Sequence, residues 1–157
     1  MPLSEEDFAD EGDNILFRAI KIKDWKKVAD LLESPEAATL VKELDVYENT
    51  PLHAAIGYQT SDDLILKLLR LYPEATRFHG ANEWLPLHLA AMWGSSREIV
   101  KELIQEHPEG LDDRGEGGIK GRTPRHFKDR FPQNRDLLMR STEDWKEIIK
   151  TTISESN

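Results

Sequence analysis

Apolar residues recur along this chain in a helical rhythm, and the rhythm itself repeats. Val28, Leu31 and Leu32, then Leu64, Ile65, Leu68 and Leu69, then Ile99, Val100, Leu103 and Ile104 stand at spacings of one, three and four. Such spacings gather each set on one face of a helix. Each predicted helix then meets a proline, Pro35, Pro73 or Pro108, in "SPEA", "YPEA" and "HPEG". Proline cannot continue a helix and pushes the residue before it toward an extended conformation. Ahead of each apolar set lies a shorter pattern: "NILFRA" from Asn14, "TPLHAA" from Thr50 and "LPLHLA" from Leu85, with a fourth copy, "TPRHFK", from Thr123. The openings are 36, 35 and 38 residues apart. The repeating unit predicted is a short helix, a turn, a second helix and a connecting loop.

The openings have a physical logic. Thr50 offers a hydroxyl to orphan backbone N–H groups, and Pro51 sits at the first helical position, where its missing N–H costs nothing. Thr123 and Pro124 are expected to do the same, and Pro86 occupies the equivalent place in the third copy. There Leu85 replaces the capping threonine, an expected loss of about 1 kcal/mol. Leu52 and Leu87 are predicted to point into the stack, while Ala54-Ala55 and Ala90-Ala91 let neighbouring helix pairs approach closely. Neither helix of a pair can bury its apolar face alone, but stacked pairs can. In the fourth copy Arg125 and Lys128 stand where Leu52 and Ala55 stand in the second. A polar outer unit is what the end of a solenoid requires. The tail "STEDWKEIIKTTI", with Ser141 or Thr142 as cap and Trp145, Ile148, Ile149 and Ile153 at helical spacing, reads as a closing helix.

Composition narrows the function classes. The chain has 157 residues, no cysteine and a net charge of −9, so thiolate nucleophiles, disulfides and cysteine-bound metal are excluded. Its acidic start, "MPLSEEDFADEGD", is unlike a secretory signal, and no apolar run approaches the roughly 20 residues that span a bilayer. A cytoplasmic protein is expected, with the nucleus as the alternative. The acidic whole argues against nucleic acid as a partner, although residues 114–150 carry ten bases against six acids.

His53 could be a ligand, a base or scaffold. A catalytic or metal-binding histidine is needed once, in a converging site, whereas His53, His88 and His126 recur at one place in successive units and would be spread along the stack. No HExxH or comparable cluster is present. No metal, cofactor or catalytic residue is therefore expected. Asp62-Asp63 and Asp112-Asp113 read as solvated loop pairs. The stretch "RGEGGIKGRTP", residues 114–124, carries glycines followed by Lys120 and Arg122, but matches neither GxxxxGK[ST] nor GxGxxG.

The openings "TPLHAA", "LPLHLAA" and "TPRHFK", with the paired apolar helices, resemble the ankyrin repeat family over about residues 12–140. The resemblance implies an all-α solenoid of about four repeats with a C-terminal capping helix. Its parts would be an acidic N-terminal segment 1–12, repeats near 13–48, 49–83, 84–121 and 122–140, and a helix and tail 141–157. It also implies a scaffold role for Thr50, Pro51, His53, Pro86, His88, Thr123, Pro124 and His126, with the histidines bonding neighbouring loops. Ankyrin relatives bind proteins on loop tips and on the exposed ends of the first helices. By resemblance those places are Tyr47, Asn49, Asn82, Trp84, Lys120 and Arg122 on the tips and Tyr58, Met92 and Trp93 on the helices. The function implied is a non-catalytic adaptor or scaffold, and Asp10, Glu11 and Asp13 are expected to steer a basic partner. Two alternatives stand beside it. One is a small enzyme or anion- or nucleotide-binding protein using the glycine-rich loop and basic stretch 110–130; the other is a spacer cut from a larger ankyrin protein.

Overall fold

The computed structural model describes residues 12–115 and 121–156. Among them the regular structure is helical throughout. The first helices of the repeating units are α1 (Ile15–Lys21), α4 (Pro51–Gly57) and α6 (Pro86–Trp93), each packed on the next. The second helices, α2 (Trp25–Glu33), α5 (Asp62–Leu71) and α7 (Arg97–Glu106), form the other layer. The remaining helices are the short α3 (Ala37–Leu40), α8 (Arg135–Met139) and the C-terminal α9 (Thr142–Ser156). The core runs the length of the stack, with Leu16, Phe17, Leu52, Ile56, Leu68, Leu87, Ile99, Leu103 and Ile104 all buried. Ala55, Ala90 and Ala91 lie between the first helices with almost no exposed surface, which lets backbones approach as their small size predicts.

The units repeat in backbone detail. Each first helix ends with a residue in the left-handed region, Lys23, Gln59 and Gly94, followed by an N–H that returns to the last turn. Those bonds, Asp24 N–H to Ala19 O, Thr60 N–H to Ala55 O and Ser95 N–H to Ala90 O, are each 2.9 Å long. Such closure satisfies orphan carbonyls at a helix end. Gly94 is required for a second reason, because the ring of Phe131 packs where a Cβ would stand.

The prolines do more than end helices. Tyr72 and His107, the residues before Pro73 and Pro108, share one non-helical geometry, and each proline then opens a 3-10 turn, Pro73–Arg77 and Pro108–Asp112. The expected connecting loops are thus partly helical, because a proline that cannot continue a helix is well placed to begin one.

The fourth copy departs from the prediction. Thr123 makes no side-chain cap, and Pro124–Phe127 is a single 3-10 turn rather than a helix. Its partner in the second layer is α9, which packs on α7 and on the turn Pro108–Asp112. Trp145 of α9 is fully buried and donates its indole N–H to Leu137 O at 3.1 Å. Ser141 caps the helix through the N–H of Asp144. Ile153, predicted to join this buried face, is 58% exposed.

Candidate partner-binding groove

The loop tips are built before the groove between them. Asp45 N–H bonds Asn49 O at 3.0 Å, and Gly80 N–H bonds Trp84 O at 2.9 Å, closing two equivalent five-residue tips one repeat apart. The first is held from below by Asp45, whose carboxylate accepts the N–H groups of Tyr47 and Asn49. Asp45 in turn shares Lys21 with Asp13, at 3.3 and 2.7 Å, in a cluster almost closed to water. Burial pushes the Lys21 ammonium toward its neutral form, but the carboxylates of Asp13 and Asp45 outweigh it and leave its pKa raised. Asp13 is therefore a buried ion-pair partner rather than a steering charge on a free tip. Asp10 and Glu11 lie outside the described residues.

The histidines tie successive tips together. Nε2 of His53 lies 2.9 Å from Trp84 O, and Nδ1 lies 2.7 Å from the Thr50 hydroxyl. A carbonyl can only accept, so Nε2 carries the proton and Nδ1 accepts from Thr50. Nε2 of His88 likewise donates to Asp113 O and Arg122 O, at 3.0 and 3.2 Å, and Nδ1 accepts the N–H of Leu85. The missing hydroxyl at Leu85 is thus replaced, as the donor to Nδ1, by the leucine's own N–H, while the His88 N–H turns to Leu85 O at 3.0 Å, and the leucine side chain is completely buried. Burial pushes the His53 imidazole down to about 4 and lowers that of His88 as well. Both rings are neutral scaffold at physiological pH.

The third histidine is different. His126 is exposed and rests edge-on against Phe127, without an inter-unit hydrogen bond among the described residues. Its expected scaffold role falls to Arg125, which the sequence pattern marked only as a polar substitution. The guanidinium donates to Leu138 O, Arg140 O, the Thr142 hydroxyl and Asp112. Arg125 and Thr142 in return hold the Asp112 carboxyl below its usual range. Asp113 meets His79 at 2.9 Å, so both carboxylates of this pair are engaged rather than simply solvated. Asp62 and Asp63 form the first turn of α5.

Between the tips and the ends of the first helices runs an open groove of about 280 Å³. It is lined by Asn49, Tyr58, Asn82, Trp84, Met92 and Trp93, six of the predicted binding residues, with Leu89 and His53 at its base. Tyr58 and Trp93 occupy equivalent places after α4 and at the end of α6, and they are 38% and 50% exposed. Asn49 links the two tips by accepting the Ala81 N–H at 2.9 Å. Trp84 has a structural share as well, since its ring tilts against His88 and Phe127. Leu89 escaped prediction although it stands three and four residues before Met92 and Trp93, the spacing of a single helix face. Tyr47 stands apart from this groove, 59% exposed with its ring 5.4 Å from Lys21 Nζ. Arg122 is exposed on the third loop, and Lys120 lies outside the described residues.

Residues 82–113, which run from the second tip through α6, α7 and the following 3-10 turn, match the family model of the ankyrin repeat. The chain carries an ankyrin repeat. The matched unit is the third copy, and the ankyrin-type stacking continues through the helix pairs before it. No curated protein matches the chain. Among the described residues no group of three histidines, aspartates or glutamates is placed to hold a metal ion, and no helix is long and apolar enough to cross a membrane.

Proposed function

We propose that this chain is a non-catalytic protein-binding module, an adaptor or scaffold whose partner lies in the groove between the loop tips and the ends of α4 and α6. Ankyrin repeats are protein–protein interaction modules generally, and the observation that carries the reading here is the exposed pair Tyr58 and Trp93. A folded chain that leaves a tryptophan half in water, beside a second aromatic and Met92, presents the residue types that dominate interface hot spots. His53 supports the groove from below without offering chemistry, because its ring is neutral and both nitrogens are occupied.

The test is quantitative capture from lysate of the source cell with wild type and with the Tyr58→Ala/Trp93→Ala double variant, matched for helical circular dichroism and melting. Trp84 is left intact because its ring also packs the third repeat. A protein retained by wild type and lost by the folded variant is the expected outcome; equal capture by both would remove the groove from the account. Each aromatic is expected to contribute about 2 kcal/mol, so the double variant should weaken binding by close to a thousandfold.

A further inference from the structure

The residues lining the groove are uncharged at neutral pH, but the loop tips that supply Asn49, Asn82 and Trp84 to it each carry a glutamate. Glu48 and Glu83 hold the same position in the two successive tips, and both are in the left-handed region at φ 66° and 62°. That region favours glycine or asparagine, and a glutamate there is backbone strain that tertiary contacts must hold in place. Each adjoins groove residues, Glu48 beside Asn49 and Glu83 between Asn82 and Trp84. Neither makes an ion pair among the described residues. A third carboxylate, Asp62, lines the adjoining pocket of about 250 Å³ on the far side of Trp93, with Gln59, Thr60 and Ser96. Thr60 is 5% exposed, and its hydroxyl has no hydrogen-bond partner among the described residues. No lysine or arginine is found among the described residues lining either depression.

We propose that the groove takes an extended peptide segment of a partner protein that carries two basic side chains flanking apolar residues, with Glu48 and Glu83 receiving the cations. This rests on the groove reading above and adds the chemistry of its occupant. Stacked helices lie about 8–10 Å apart, and an extended segment in the polyproline II conformation rises about 3.1 Å per residue with three residues per turn, so carboxylates one repeat apart match basic residues three apart on one face. The apolar residues between them then lie against Tyr58, Met92 and Trp93. The indole and phenol faces also accept cations, which favours arginine over a neutral residue of the same shape.

The test uses wild-type protein and two acetylated tetrapeptide amides, Arg-Leu-Leu-Arg and the neutral isostere citrulline-Leu-Leu-citrulline, titrated against backbone and indole resonances. The expected result is binding of the arginine peptide about tenfold tighter than the citrulline peptide, with a preference that shrinks as salt rises. The Glu48→Gln/Glu83→Gln variant, matched for melting, is expected to bind the two peptides alike and to leave the citrulline affinity unchanged. Equal binding of both peptides by wild type, or a preference that survives in the glutamine variant, would overturn the assignment of the cations. If that equal binding is also lost on Tyr58→Ala/Trp93→Ala, the groove stands and only its charge reading falls. Failure to bind either peptide overturns the basic-segment assignment, and the capture experiment then decides the groove by itself.

Discussion

The second and third repeats and the fourth copy open with proline and histidine at the same offsets, yet they are fastened by different residues. In the two central repeats a buried neutral imidazole reaches the carbonyls of the next loop. In the fourth copy the histidine is exposed, and an arginine one residue earlier ties Leu138, Arg140, Thr142 and Asp112 together. The difference follows from what comes next along the stack. A following repeat presents one or two carbonyls to a compact ring, whereas the terminal unit faces a bend into α9, where several acceptors converge from different directions. A guanidinium with five donors suits that convergence, and an imidazole with one does not.

The largest expected effect that sharpens this contrast is the pH response of the central fasteners. The folded state keeps His53 neutral down to about 4, while the unfolded chain protonates it near the ordinary 6.5. The unfolded state therefore takes up the proton first. Stability present in full above pH 6.5 drains away as the pH falls through 4, by about 3 kcal/mol from this ring. Urea midpoints at neutral pH and at about pH 4.5 should show a steeper loss in wild type than in His53→Gln, which is less stable at neutral pH but flatter. Parallel slopes would mean that His53 is not the group responsible.

Next in size, Arg125→Ala removes charge-assisted bonds to partly buried carbonyls, for an expected loss of about 2 to 3 kcal/mol. Hydrogen exchange should then accelerate first in α9 and around Trp145, with α4 and α5 protected as before; uniform acceleration would mean that the terminal unit is not separately fastened. Leu85→Thr tests whether the third opening lacks a cap or has been rebuilt around His88. A cap adds about 1 kcal/mol, but shortening a fully buried leucine costs more, so a net loss of about 1 kcal/mol is expected in thermal melts. A gain would restore the view of Leu85 as a defect. The smallest effect is expected at the residue that most resembles its scaffold counterparts. His126→Ala should change stability by less than about 0.5 kcal/mol, and a loss as large as that of Arg125→Ala would contradict the exposed position.

Much of the stack was legible because repetition tests itself. Leu52 and Leu87, Ala55 and Ala90, and Ile65, Leu68 and Leu69 with Val100, Leu103 and Ile104 occupy equivalent buried places, as their recurrence predicts. The groove was legible in part, for six predicted residues meet there while Tyr47 and Arg122 stand elsewhere. The ion cluster of Asp13, Lys21 and Asp45 was not. Asp45 is separated from Asp13 and Lys21 by α2 and α3, and each charge alone reads as ordinary surface; only the closing of the first tip over α1 takes them out of water. The contact of His79 with Asp113 escaped for the same reason, since it joins residues one whole unit apart.

By itself the sequence determined the helical rhythm, the repeating unit and the direction in which each apolar face is buried. These depend on neighbours three to five residues away or on the identical unit next door, and such information is local or periodic. Tertiary structure decided which charges are buried, that Arg125 replaces His126 as the terminal fastener, and that Tyr58, Met92 and Trp93 share one groove. Those outcomes depend on distances between units and on access to water, and a one-dimensional pattern carries neither.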